Sequence, residues 1–189
     1  WWLYNSTGFG MWFAVLANAL LMTSVWLLYV RISKRFNTNL SLLFLVTLWM
    51  LFEYLHLNWD FSWPWLNLGN AFAITTGWIQ WYEYTGTFGG TLWVWIVNVL
   101  IFKAIIFYNE NNNPKILIKN LLLPLVVIVL PIAISQILYH TYTEVNNPIE
   151  VVLLQPNIDP YTEKYNTTND RIGDLLFEEA NASLTSNTE

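Results

Sequence analysis

Cysteine is absent from these 189 residues, which excludes a disulfide, a thiolate metal site and a cysteine nucleophile within them. Charge is scarce as well. Asp, Glu, Lys and Arg make up 11% of the chain, against about 25% in an average soluble domain. The two histidines, His56 and His140, lie far apart and are poorly supplied with partner ligands, so neither a metal site nor a cofactor is expected. No basic stretch is interleaved with aromatics in the manner of nucleic-acid binding. There is no Ser/His/Asp set, no glycine-rich phosphate loop and no supported carboxylate pair. No basic run precedes the first apolar stretch, as a cleavable signal peptide would require.

What is present is apolar and aromatic: 55% of the chain is hydrophobic, and Phe, Trp and Tyr alone make up 17% of it. Stretches of about 20 apolar residues match a hydrocarbon core of about 30 Å. Four are visible, at 10–30, 40–57, 88–108 and 117–139. The fourth contains Pro124 and Pro131; within a bilayer such prolines survive because neighbouring helices take up the carbonyls they free. The expected fold is a membrane all-α bundle of four transmembrane helices over residues 1–139. Residues 140–189 then form the start of a second, incomplete domain.

The basic residues give an orientation. Arg31, Lys34 and Arg35 follow span one, while Lys103, Lys115 and Lys119 surround the connection between spans three and four. Six of the eight basic residues therefore share one side, which the positive-inside tendency makes cytoplasmic. The 58–87 segment and everything after span four are expected outside. Charge divides the same way: residues 140–189 carry nine acids against Lys164 and Arg171, whereas the first 139 carry four acids against six bases.

The segment after span two holds ten aromatics between Asn58 and Phe88, among them Trp59, Trp63, Trp65, Trp81 and Tyr84. Two readings are open. Such rings suit a membrane–water interface as a simple belt, or they form a re-entrant platform that binds lipid, with Pro64, Gly69, Gly77, Gly86, Gly89 and Gly90 supplying the breaks. Trp49, Glu53 and His56 fall at i, i+4 and i+7, on one helix face. An ionisable group inside a span is a functional candidate by default, while packing or a hydrogen bond is the plainer role. Glu83, at the interface, divides between the same two readings. Asn98 reads as an interhelical hydrogen bond.

Beyond His140 the pattern changes. Val151–Leu154 is a short apolar run between Pro148 and the turn-formers Pro156, Asn157, Asp159 and Pro160, which predicts a buried strand and a loop. Thr167–Leu184 then shows apolar residues at helical spacing, with Thr167 and Asp170 as a capping box. Strand, loop and helix are the first half of an α/β unit. About 50 residues cannot close such a sheet, so the rest of that domain is expected beyond Glu189.

Two stretches resemble the apolipoprotein N-acyltransferase family. One is Phe52–Gly90, through Glu53-Tyr54, Pro64-Trp65-Leu66 and Gly86; the other is Val151–Tyr165, VVLLQPNIDPYTEKY. The resemblance implies an integral inner-membrane enzyme whose nitrilase-like αββα domain, of which 140–189 is the truncated start, is periplasmic. It implies N-acylation of a diacylglyceryl apolipoprotein from a phospholipid donor through a cysteine thioester, with a Glu base and an oxyanion-stabilising Lys. No catalytic residue is assigned in this chain; Glu, Lys and Cys are expected beyond residue 189, and residues 1–189 alone are expected to be inactive. Substrate-binding candidates are Trp65, Glu53, Glu83 and Tyr165, the last in a place where the family often has Trp. Alternatives are a membrane-anchored nitrilase-like amidase and a non-catalytic lipid-binding or transporter subunit.

Overall fold

The computed structural model describes residues 2–144, 149–185 and 188. Six α-helices are present among them: α1 (Trp2–Ser6), α2 (Gly8–Ser33), α3 (Thr38–Leu57), α4 (Tyr82–Asn111), α5 (Pro114–Thr141) and α6 (Asn169–Ser183). Helices α2 to α5 are long and apolar enough to cross a membrane. They contain the four expected spans, each extended by a few residues at one end or both, α3 at its start only. Helix α1 is an addition, since its five residues are too few for periodicity to reveal.

The polar turns between spans follow from their asparagines. Asn37 caps α3 by accepting the Leu40 N–H at 3.0 Å. Asn112 ends α4 in the left-handed conformation at φ 48°, which Asn tolerates better than most residues. Asn113 then accepts the Lys115 N–H at 3.0 Å and Pro114 opens α5, where its missing donor costs nothing.

The unit that runs from Leu21 to Thr143 holds the core. Indole rings tie its helices together: Trp26 of α2 and Trp49 of α3 both pack against Trp95 of α4, at ring-centroid separations of 6.5 and 5.5 Å. Most large apolar side chains remain exposed. In a bilayer they face lipid tails rather than water, so their exposure carries no hydrophobic penalty.

Helix α5 keeps both of its prolines. Pro131 cannot donate to the carbonyl four residues earlier, that of Val127. The Trp93 Nε1–H of α4 donates to this carbonyl at 2.7 Å. The neighbouring helix therefore takes up the acceptor that the proline frees, and the pairing fixes α4 against α5. Asn98 does not bridge helices through its amide NH2: Nδ2 donates to the Val94 carbonyl of its own helix at 2.8 Å, the backward i−4 reach that short polar side chains favour.

Gly86 lies inside α4 at φ 63°, ψ −172°, a conformation essentially reserved for glycine. It kinks the helix one turn after its start, so that Tyr82–Thr85 form a separate entry turn.

Residues 1–20 and 144–189 cluster as a second unit. No strand forms among the described residues. Val151–Leu154 have no ladder, and Leu153 is 91% exposed, so the buried strand expected there does not form; a strand exists only where a neighbour supplies one. The single recorded pairing is a parallel bridge between Glu150 and Thr188. Glu150 also accepts the Thr185 and Thr188 hydroxyls at 2.6 and 2.9 Å. These bonds, Thr185's first, hold its carboxyl below the usual carboxylate range. Pro148 lies outside the described residues. After this apolar run, Asp159 Oδ1 accepts the Tyr161 and Thr162 N–H groups, the side-chain turn its residue type favours. Helix α6 starts one residue later than the capping-box pattern suggests, because Thr168 rather than Thr167 supplies the cap, accepting the Arg171 N–H. Ile172, Leu175, Leu176 and Ala180 form its half-buried stripe, as spacing predicts.

If Trp93 serves the carbonyl that Pro131 frees, the two residues must be coupled. Trp93→Phe should cost about 1–3 kcal/mol, the usual penalty for an orphaned buried group. In a Pro131→Ala background the restored backbone donor should remove at least half of that loss. Thermal unfolding in detergent, followed by helical circular dichroism, measures both; equal losses in the two backgrounds would rule out the pairing as the cause.

Candidate functional site

Helix α3 presents Trp49, Glu53 and His56 on one face, as their spacing requires, and all three are buried at 8%, 2% and 4% exposure. A carboxylate withdrawn from water is tolerated only where donors replace the solvent. Glu53 has three. Its Oε1 accepts the Trp49 indole N–H at 2.9 Å and the Leu68 backbone N–H at 3.0 Å. Its Oε2 accepts the Thr91 hydroxyl of α4 at 2.6 Å.

Leu68 belongs to the connection between α3 and α4, which crosses in three tight 3-10 turns at Pro64–Leu66, Leu68–Phe72 and Thr76–Trp78. The Thr91 hydroxyl, having donated to Glu53, accepts the Gly69 N–H at 3.0 Å. The Tyr82 hydroxyl donates to the Gly69 carbonyl at 2.9 Å. Further along, the Gln136 side chain of α5 donates to the Gly77 carbonyl at 2.9 Å, and Asn70 Nδ2 donates to the Pro64 carbonyl. The connection is thus fastened by α3, α4 and α5 together.

Close approach is what makes the fastening possible. A Cβ on Gly69 would fall on the Thr87 carbonyl oxygen, and one on Gly90 would fall on the Tyr82 hydroxyl and 3.0 Å from the Gly69 Cα. Both glycines are therefore read as contact points between backbones rather than as hinges.

The outward side of the same connection is aromatic. Trp65 is 60% exposed on the first turn, and Phe61, Trp78 and Tyr84 are also exposed. Glu83 is exposed in the first turn of α4, beside the Tyr82 that binds Gly69. Three of the four sequence candidates, Glu53, Trp65 and Glu83, thus lie on or beside one fastened segment, with Glu53 beneath it and the other two on its surface. Tyr165 lies in the segment after α5, exposed, with the Lys164 ammonium 5.7 Å from its ring centroid.

His56 is enclosed by the rings of Phe52, Trp59 and Trp63, at centroid separations of 5.5, 5.4 and 5.7 Å. Neither ring nitrogen has a hydrogen-bond partner among the described residues. Its imidazole stands at the end of a groove of about 460 Å³ between α2 and α3, lined by Leu21, Val25, Leu28, Leu48, Leu51 and Leu55 among others, with Asn58 and Trp59 beside it. The groove is apolar along its length and polar at this end. No group of residues among those described could hold a metal ion.

Thr91, Tyr82 and Gln136 escape sequence reasoning. Their signal is weak: single polar residues at the edge of an apolar span, meaningful only once the connection is seen to lie against them.

The sequence profile of the apolipoprotein N-acyltransferase N-terminal domain matches residues 1–100. The apolipoprotein N-acyltransferase of Chlorobaculum tepidum is 27% identical over 163 residues, covering 85% of this chain and 30% of that protein. The chain therefore spans less than a third of the length of this curated relative, and the matched stretch is too long to stop at the end of α5. No solved structure matches.

Removing the Glu53 carboxylate should release the whole connection. Glu53→Ala strands three buried donors and should cost about 3 kcal/mol or more. Glu53→Gln, which keeps one acceptor oxygen, should lose less. Chemical unfolding in detergent gives the energies, and protease cleavage within 60–80 reports the release. Wild-type stability and protection in Glu53→Ala would remove the hub role.

Proposed function

This chain belongs to the apolipoprotein N-acyltransferase family, and on that premise we propose that the full protein N-acylates bacterial apolipoproteins. The donor is a membrane phospholipid and the acceptor is the free α-amine of a diacylglyceryl-cysteine. The single observation that carries the reading is the match to the family profile, which includes the Glu53 hub and the aromatic connection it fastens.

The chemistry is a two-step transfer. A cysteine thiolate attacks the ester carbonyl of the phospholipid, the lysolipid alcohol leaves, and a thioester remains. The acceptor amine then attacks the thioester, an amide bond forms, and the thiolate is released. Splitting one difficult transfer into two is the advantage of a covalent nucleophile. A Glu base moves the protons and a Lys stabilises the oxyanion. These three residues are placed in the part of the protein not represented among the 189 residues, in keeping with the 30% coverage of the relative. Residues 1–189 alone are accordingly proposed to be inactive.

The roles within this chain follow from its geometry. We assign residues 1–139 to the membrane domain and 140–189 to the start of a nitrilase-like α/β domain on the periplasmic side of the inner membrane. The parallel bridge between Glu150 and Thr188, with α6 between its two sides, supports that reading, since parallel neighbours need a crossover and usually a helix. Trp65, Glu83 and Tyr165 are placed at the lipid substrates. Glu53, buried beneath the turn that carries Trp65, acts as a positioning residue. The groove between α2 and α3 has the chemistry to receive an acyl chain, being apolar within and polar at one end.

The reading is tested with full-length protein, a phospholipid labelled in its acyl chains, and a diacylglyceryl lipopeptide with a free amino terminus. Labelled N-acyl lipopeptide should form, and a lipopeptide with an acetylated amine should remain unlabelled. Label released only to water, or hydrolysis of soluble amides without lipopeptide acylation, would overturn it.

A further inference from the structure

At the carboxyl end of α2, one turn beyond Leu28 of the groove, the chain makes a turn of four residues into α3. The turn is tightly built. The Arg35 N–H donates to the Ile32 carbonyl at 2.9 Å, and the Ser33 hydroxyl donates to the Val30 carbonyl at 3.0 Å. Phe36 folds back on Phe44 with stacked rings 5.6 Å apart, while the Ser41 hydroxyl donates to the Phe36 carbonyl. Asn37 then caps α3. Every residue from Ser33 to Asn37 except Lys34 is thus held by its backbone or side chain, and Lys34 sits within the loop they close.

This turn brings Arg31, Lys34 and Arg35 around one recess of about 590 Å³, whose remaining wall is Leu27, Leu28 and Val30. All three cations are exposed. No acidic residue occurs anywhere before Glu53, and none of the three makes an ion pair among the described residues. Three positive charges held together without a carboxylate repel one another, and a bound anion would relieve that repulsion. The apolar wall runs from the recess into a helix long and apolar enough to cross the hydrocarbon, which would set the recess where phosphates end and acyl chains begin.

We propose that this recess is a binding site for the headgroup of an anionic phospholipid in the leaflet that α2 enters at its carboxyl end. Arg31 and Arg35 engage the phosphate through paired N–H groups, the geometry guanidinium favours. Lys34 adds a point charge, and the first methylenes of the lipid lie along Leu27, Leu28 and Val30. The site is separate in kind from acyl transfer: it recognises charge at a headgroup and requires no chemistry. A lipid held here also ties the α2–α3 turn to the membrane surface.

The start of α5 provides an internal control, because Lys115 and Lys119 place two positive charges in its first turns. Full-length protein in neutral detergent is titrated with phosphatidylglycerol and, separately, with phosphatidylcholine, and bound lipid is counted by native mass spectrometry. Phosphatidylglycerol should be retained at least tenfold more strongly. Arg31→Gln/Arg35→Gln should abolish most of that preference, whereas Lys115→Gln/Lys119→Gln, which removes the same charge, should leave it nearly intact. Lys34→Gln alone should lower it about threefold, and this milder variant decides the matter if the double variant loses helical signal. Inorganic phosphate at the concentration of the lipid should not displace it. The proposal is overturned by equal binding of the two lipids, by equal loss in the two double variants, by an unaltered preference in Lys34→Gln, or by displacement with phosphate alone.

Discussion

The arrangement of the membrane unit depends on one buried carboxylate. Glu53 is a costly residue to place inside a helical bundle, and it persists because three donors from three different places converge on it. Each donor fixes something. The Trp49 indole fixes the rotamer of Glu53 on its own helix, the Leu68 N–H fixes the connection, and the Thr91 hydroxyl fixes α4. Thr91 passes the constraint on through the Gly69 N–H. An apolar residue at position 53 could fill the same volume, but it could not hold a backbone N–H and a hydroxyl from separate elements at once. The cost of burying the carboxyl group is thus exchanged for a defined geometry, a trade buried polar networks make when every member is satisfied.

The same accounting governs the rest of the unit, because at membrane depth water is not available to complete a hydrogen bond. Irregular backbone near a bilayer survives where protein groups stand in for solvent. The connection between α3 and α4 obtains them from Glu53, Thr91, Tyr82 and Gln136. The broken ladder at Pro131 obtains one from Trp93. These are solutions to a single problem, and both use a side chain from a neighbouring helix. They also explain why α4 is the central helix of the unit: it supplies Tyr82, Thr91 and Trp93, one after another along its first half.

Much of this was legible in sequence, for identifiable reasons. Long apolar runs announce spans whatever their partners, and so α2 to α5 could be counted before any contact was known. The face shared by Trp49, Glu53 and His56 follows from helical spacing alone. Partners were not legible, because they depend on contacts 13 to 59 residues apart in sequence. Gly69 and Gly90 could be seen as breaks but not as a point where two backbones touch. Val151–Leu154 has the composition of a buried strand, yet composition cannot supply the neighbouring strands that would give it a ladder. Asn98 shows the converse error. A polar residue in a span suggests a partner across the interface, whereas its own helix offers a carbonyl within easier reach.

The aromatic connection can now be weighed between a belt and a platform. A belt asks only that rings lie at the depth of the headgroups, and rotatable side chains on a loose loop meet that demand. It gives no reason for three helices to bind the backbone beneath, nor for two glycines to be packed so closely that neither could carry a methyl group. A platform has such a reason, since a ring that must meet one part of a lipid repeatedly has to stand on backbone that does not move. Trp65 is exposed while the turn that follows it is anchored to a buried carboxylate through Leu68. Exposed ring above and rigid backbone below is the combination that recognition requires and that a belt does not. The fastening of this backbone to Glu53 is a feature that a platform would use and that a belt leaves unexplained, and Trp65 is the exposed ring beside it.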